Sequence, residues 1–380
     1  MKTLILTCNT GEGHNSAAAA VTDAFAVNGH TCDRADALAF LARWASRLIC
    51  RWHVTLYRYM PKAFDTGYRA AEQHPNAFRK KSKLYRILTL GRERLYRYLV
   101  SNGYDTVICP HVFSALLVTA VREKYPDLPI RVCFIATDYT CSPIVRECRM
   151  DAFMIPDESL REEFVTKGVP ADRILVTGIP VRQAFLTQKA RAEARAACGI
   201  PPENRHLLVM CGSMGCGPME ELTHLLAEQA PENVTVQVIC GTNERLRRRL
   251  ENLYAQKSNV LICGYVHNVP ELMDSADVYL TKPGGLSVTE GATKRLPMVF
   301  VDAVAGCEEY NLRFFLERDM AMTADTPEKL AEACLYLLDH ADAREQMRER
   351  MKQHVLTDGA VAIYRYMSDE SPSSDTPAEP

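Results

Sequence analysis

With 380 residues, 47% of them hydrophobic and 24% charged, the chain is long enough for two cored domains, and its net charge of −2 gives no global attraction to nucleic acid or anionic lipid. No run approaches the roughly 20 apolar residues of a spanning helix, and the apolar start of MKTLILTCNTGEGH is too short for a signal peptide. The 14 cysteines include no CxxC pair and no zinc spacing; Cys109 in TVICP and Cys240 in VQVIC read as small core hydrophobes of a reducing cytoplasm.

Short apolar runs alternate with helical patterns from end to end, the signature of parallel α/β layering. Strands are predicted at 3–8, 105–109, 130–136, 152–155 and 174–177, then at 206–211, 234–240, 259–263, 278–281 and 298–301. Each half reads as its own doubly wound sheet, with a hinge near 178–205. The expected division is a first domain over 1–180, a second over 181–355, a helix over 356–367 that packs back on the first, and a disordered tail over 368–380, whose SDESPSSDTPAEP composition lacks apolar surface.

Between the first strand and the helix former SAAAAVTDAF stands Asn9-Thr10-Gly11-Glu12-Gly13-His14. Two further glycine loops follow predicted strands: Cys211-Gly212-Ser213-Met214-Gly215-Cys216-Gly217, and Lys282-Pro283-Gly284-Gly285-Leu286-Ser287, which enters a helix through VTEGATK. In open α/β sheets ligands sit beyond the carboxyl ends of the strands. Glycine lets backbone N–H groups approach an anion there, and a helix N-terminus adds about half a positive charge. One such turn alone only connects a strand to a helix; three of them, one with a lysine, point to a phosphorylated ligand. GEGHNS lacks the third glycine of a dinucleotide fingerprint, and no GxxxxGK[ST] or DxD occurs, so neither an ATPase nor metal chelation of a diphosphate is implied. No cofactor is expected.

Two segments suit a membrane surface. Over 40–60, Leu41, Trp44, Leu48, Trp52, Leu56 and Tyr59 share one helical arc, edged by Arg43, Arg47, Arg51 and Arg58, and Pro61 stops the pattern. From Arg79 to Tyr98, eight basic residues stand against Glu93 alone, with Leu84, Ile87, Leu88, Leu95 and Tyr98 at helical spacing. A core-facing helix with a solvated basic side, or a nucleic-acid groove, has the same spacing; a family resemblance tips the reading to lipid, with no nucleic acid expected as partner.

The block TKPGGLSVTEGATKRLPMVFVDAVAGCEEYN resembles the donor site of the monogalactosyldiacylglycerol synthase and processive diacylglycerol glucosyltransferase family. GEGHNSAAAA, ATDY, CGSMGCG, ICGTNERL and GYVHNVPELMDSAD are similar to its other motifs, and the likeness spans roughly 1–355. More distantly the chain resembles the lipid II N-acetylglucosaminyltransferase. The resemblance implies a GT-B fold, two Rossmann-like doubly wound domains facing a central cleft. It also implies an inverting transfer of a hexose from a UDP-sugar to diacylglycerol or a related lipid, on the inner face of the cell membrane.

By the same resemblance Glu290 binds the donor ribose from the first turn of its helix. Gly284, Gly285 and Ser287 face the diphosphate with Lys282 adding charge, and Gly212, Ser213 and Met214 line its other side. Tyr265 and Val266 present backbone to the uracil, while Glu308, Glu309 and Asn311 lie near the hexose. His14 is the candidate general base beside Gly11 and Gly13, an imidazole suiting proton removal near neutral pH. Asp138 orients it or the acceptor. Ala305-Gly306-Cys307 departs from the family glutamine that contacts the sugar, and TCSPIV replaces its His and Trp after ATDY, so hexose and acceptor handling stay open. The alternatives are a UDP-N-acetylglucosamine 2-epimerase-like isomerase and a non-catalytic nucleotide- or lipid-binding protein.

Overall fold

In the computed structural model, which describes residues 1–8, 12–41, 66, 69, 79–80, 82–215, 217–302 and 306–369, the apolar runs form parallel strands in two compact units. Among the described residues, the first unit holds those up to Gln183 other than Thr66 and Arg69, together with those from Leu356 onward. The second holds Ala184–Val355 with Thr66 and Arg69. Gly11, the tail beyond 369 and nearly all of the helix expected over 40–60, including Arg43, Trp44, Arg47, Leu48, Arg51 and Trp52, lie outside the described residues.

In the first unit, β1 (Thr3–Thr7), β2 (Cys32–Asp36), β3 (Thr106–Cys109), β4 (Arg131–Ile135), β5 (Ala152–Ile155) and β6 (Ile174–Val176) form a parallel sheet of order β2-β1-β3-β4-β5-β6. Its helices include α1 (Glu12–Val27), α2 (Lys83–Leu88), α3 (Arg92–Asn102), α4 (Val112–Lys124) and α5 (Arg161–Thr166). Alternate side chains of a strand face opposite sides. Leu4, Leu6 and Val107 therefore join Leu95, Leu99 and Leu116 on one face, while Ile5, Ile108 and Met154 meet Val21 and Phe25 of α1 on the other. That second core is completed from the far end of the chain, where the helix Gly359–Met367 contributes Ile363, Tyr364 and Met367. The Arg131 guanidinium fastens this helix by donating to the carbonyls of Tyr366 at 2.9 Å and Met367 at 3.2 Å. Its first residue presses on the chain leaving β6: a Cβ on Gly359 would stand 2.9 Å from the carbonyl oxygens of Thr177 and Gly178.

Strand β2 departs from the sequence reading. CDRAD carries no apolar alternation because it is a partly exposed edge. The basic stretch 79–98 is also two helices, not one. The break falls at Gly91, where a Cβ would lie 2.9 Å from the Phe40 backbone. Leu88 and Leu95 consequently turn into the core while Leu84, Ile87 and Leu90 stay exposed.

The second unit carries β7 (Arg205–Met210), β8 (Val234–Ile239), β9 (Val260–Cys263), β10 (Val278–Thr281), β11 (Met298–Phe300) and β12 (Ala321–Thr323), again all parallel, in the order β12-β11-β10-β7-β8-β9. Around them lie α6 (Arg191–Cys198), α7 (Met219–Gln229), α8 (Glu244–Tyr254), α9 (Val269–Ser275), α10 (Gly285–Thr293), α11 (Cys307–Leu316), α12 (Pro327–Asp339) and α13 (Ala341–His354). The edge strand β12, three residues long, is absent from the sequence reading. Two buried ionic groups brace the unit. Lys294 Nζ at the end of α10 lies 2.8 Å from Asp274 on α9. Asp277 accepts from Arg191 at 2.8 Å, Arg195 at 2.6 Å and the His206 amide at 2.8 Å. Cys109 and Cys240 are fully buried, and desolvation pushes both thiols up to about 12, as inert core residues. Among the described residues no helix is long and apolar enough to cross a membrane.

Candidate active site

A doubly wound sheet opens a crevice where successive strands run outward in opposite directions. In the second unit that point lies between β7 and β10, paired through Leu208 and Tyr279. Thr281 Oγ1 ties the two strand ends together by donating to Met210 O at 2.8 Å. The loops leaving these ends are the two glycine loops of the second half, so the fold brings together segments 70 residues apart.

Their contact is made by Lys282. Its stem runs against Gly212, where a Cβ would meet Lys282 Cε at 2.8 Å and where φ is +72°. Its ammonium lies 2.5 Å from Glu308 Oε1 at the start of α11, both side chains being largely buried. Gly284 opens onto the same pair, since a Cβ there would stand 3.7 Å from Lys282 Nζ and 3.8 Å from Glu308 Oε1. Gly285 and Ser287 lie in the first turn of α10, whose N-terminus supplies unpaired amides and a positive dipole end. Glu290 falls in the second turn, one turn later than the sequence reading, and is 8% exposed.

The remaining predicted donor residues differ in exposure and in the contacts that brace them. Ser213 O accepts from Thr242 N at 2.8 Å, and a Cβ on Gly241 would overlap that carbonyl, so Ser213, Met214 and the segment after β8 are clamped together. Tyr265 is 51% exposed and sits edge-on to His267, with Val266 half-buried beside it. Asn311 is fully buried, and its amide donates to Pro283 O at 3.0 Å, holding the glycine loop from below. Glu309, on the exposed side of α11, pairs with Arg69.

In the first unit the crevice lies between β1 and β3, paired through Leu4 and Val107. The helices following those strands, α1 and α4, start beside it. Gly13 and His14 occupy the first turn of α1, not the preceding loop. His14 Nδ1 stands 3.0 Å from Pro110 O and 3.1 Å from Thr137 Oγ1. A carbonyl only accepts, so Nδ1 carries the proton and Nε2 is the basic nitrogen. Asp138 follows Thr137 in the loop after β4 and is half-buried; Pro110 and Thr137 supply contacts on His14 Nδ1.

Three residues of this crevice escaped the sequence reading. His111 caps α4 by accepting Phe113 N at 3.0 Å, and its ring lies 4.4 Å from that of His14 at an interplanar angle of 82°. Thr137 was read only as part of ATDY. Glu163 on α5 accepts from Thr140 Oγ1 at 2.8 Å and Cys141 N at 3.1 Å, pinning the loop after β4. The signal available for His111 was its place: a Pro-His pair between an apolar strand and an apolar helix is an N-cap position at a ligand-bearing strand end.

Comparison with known proteins agrees with the two-domain fold. The family model described as monogalactosyldiacylglycerol (MGDG) synthase matches residues 14–181, and that of glycosyl transferases group 1 matches 218–354. A processive diacylglycerol beta-glucosyltransferase of Staphylococcus saprophyticus is 26% identical over 357 residues, covering 92% of this chain and 88% of that one. That of Staphylococcus aureus is 25% identical over 334 residues, 87% of this chain and 82% of the relative. Among solved structures, Acinetobacter baumannii MurG aligns with a TM-score of 0.63 at 16% identity over 97% of this chain and 99% of its own. A Neisseria meningitidis UDP-GlcNAc 2-epimerase bound to UDP-GlcNAc aligns with 0.64 at 13% identity over 97% and 100%. The structural likeness shows the fold and does not separate transferase from epimerase; the sequence relatives do. With an MGDG synthase domain in its first half and a group 1 glycosyl transferase domain in its second, the chain is a glycosyltransferase of GT-B fold, similar over most of its length to the processive diacylglycerol beta-glucosyltransferases.

Proposed function

We propose that the protein transfers a hexose from a UDP-sugar to the hydroxyl of diacylglycerol or a related lipid, with inversion, at an anionic membrane surface on the cytoplasmic side. The observation that carries the donor side is the convergence of Gly212, Lys282, Gly284 and Glu308 at the switch point of the second sheet. There, α10 amides from Gly285 and Ser287 and the Lys282 ammonium offset the charge of a diphosphate. Glu290 accepts the ribose hydroxyls, the backbone at Tyr265 and Val266 meets the uracil edge, and Glu308 faces the hexose. Asn311 acts through the Pro283 carbonyl. No cofactor enters the scheme.

On the acceptor side, His14 Nε2 takes the hydroxyl proton as that oxygen bonds to the anomeric carbon. The bond from this carbon to the β-phosphate oxygen breaks, its electron pair leaves with UDP, and the proton passes from the imidazolium to solvent. Attack opposite the leaving group inverts the centre. An acceptor that cannot leave the bilayer requires the enzyme to reach it. Leu84, Ile87 and Leu90, 38%, 46% and 63% exposed, stand among exposed Lys83, Arg86 and Arg92, an apolar set ringed with cations.

The test incubates the protein with diacylglycerol vesicles and a panel of UDP-sugars, followed by mass spectrometry of the lipid. His14→Ala is expected to abolish transfer and retain UDP binding. Failure to bind UDP or any UDP-hexose by calorimetry would refute the donor reading. Conversion of UDP-N-acetylglucosamine without acceptor would establish the epimerase reading instead.

A further inference from the structure

We propose that His111 is a positioning residue for the His14 base, an inference that rests on His14 acting as proposed above. The two histidines arrive from different strands, His14 on α1 after β1 and His111 at the N-cap of α4 after β3, and meet at the crevice of the first sheet. Their bonding fixes opposite tautomers. His14 Nδ1 faces the Pro110 carbonyl and must carry hydrogen, whereas His111 Nδ1 accepts the Phe113 amide and must not. The neutral His111 ring therefore carries its proton on Nε2.

Pro110 and His111 grip His14 together. The carbonyl of the first sets the direction of Nδ1, and the ring of the second stands perpendicular to the imidazole at 4.4 Å, closing one side of its rotation. His111 is itself immobilised: 9% exposed, capped by Phe113 N–H, with its carbonyl accepting Ser114 Oγ at 2.6 Å and Ala115 N at 3.1 Å. The rigidity of the α4 N-terminus thus reaches the base through one aromatic contact. A hydrogen on His111 Nδ1 would face the Phe113 amide hydrogen and a positive helix end, so the capping contact fixes Nδ1 as the acceptor. A base held by a fixed neighbour keeps Nε2 aimed where the acceptor hydroxyl must arrive, and loss of such alignment costs on the order of 10-fold to 100-fold in rate.

Capping and positioning are separable, because asparagine caps a helix as well as any residue and brings no ring. In His111→Asn, with UDP-glucose and dioleoylglycerol in phosphatidylglycerol vesicles, kcat is expected to fall at least about 10-fold. The melting temperature, the KM for UDP-glucose and the UDP affinity should stay near those of the parent. His111→Ser, a second cap former, should behave alike, and stands in if the asparagine variant does not fold. A kcat within twofold of the parent in either folded variant would overturn the proposal. Long-range 1H–15N correlation of the histidine rings supplies a readout independent of turnover. Parent protein should show His14 protonated on Nδ1 and His111 on Nε2, and a His111 protonated on Nδ1 would also overturn it. Should His14→Ala keep normal transfer, the base assignment fails; should His14→Ala be dead and His111→Asn normal, only the positioning role fails.

Discussion

Replacing Lys294 by methionine removes one partner of an ion pair whose side chains are 1% and 5% exposed. Asp274 would keep the Lys189 amide, which donates to it at 3.2 Å, but would lose its only buried ammonium among the described contacts. Lys294 also donates to Thr187 O, so the same change leaves that carbonyl without its cation. Breaking one side of a buried pair costs roughly 3–5 kcal/mol, because the remaining charge is stranded out of water, whereas replacing both partners with apolar residues is close to neutral. Urea unfolding of the full chain, with hydrogen exchange of the α10 amides reporting the second unit, is therefore expected to show Lys294→Met and Asp274→Leu each strongly destabilised, and the double variant less so than either. The Lys294 amide closes α10 by donating to Glu290 O at 3.1 Å, so the single variants should also bind UDP more weakly. A single-variant loss under about 1 kcal/mol, or strictly additive losses, would refute the stranded-charge argument.

Gly241→Ala places a Cβ against the Ser213 carbonyl at a φ of +56°, and UDP affinity is expected to fall more than about 10-fold. Gly199→Ala, at a φ of +70° with open space around it, should cost about 1 kcal/mol of stability and leave UDP titration unchanged. Burial lowers the His206 pKa to about 4, so the unfolded chain binds its proton first as pH falls. The stability this neutral ring contributes is whole above about pH 6.5 and is lost down to pH 4, roughly 3 kcal/mol in all. His206→Gln should flatten the unfolding curve in that window; an unchanged slope would contradict the assignment. Leu84, Ile87 and Leu90 changed together to Gln should lower vesicle partitioning on the order of 100-fold, at roughly 1 kcal/mol per side chain. Unchanged flotation would remove this surface from the function.

What could be read from the sequence follows from which signals are local. Buried parallel strands such as AFMI and MVF are continuous apolar runs and announce themselves, whereas β2 and β12 lie at sheet edges and carry no such run. The glycine loops and Lys282 were legible because tight backbone turns restrict residue type over a few positions. The bracing of those loops was not: Asn311 meets Pro283 across 28 residues, Glu163 reaches Thr140 across 23, and His14 meets Pro110 across 96. Those pairings depend on strand order, which composition and periodicity leave open. The 79–98 segment shows the same limit. Its spacing allowed one amphipathic helix, and only the approach of Phe40 to Gly91 reveals the break that sorts Leu88 inward and Ile87 outward.

The helix Gly359–Met367 carries a consequence for biosynthesis. Ile5 and Phe25 are made long before Ile363, Tyr364 and Met367, which cover them. A nascent chain emerging at about 5–20 residues per second must hold that apolar face open, and shielded from aggregation, until the whole intervening unit has been synthesised. Synthesis of the helix Gly359–Met367, rather than completion of β6, is then the step that lets the first sheet close.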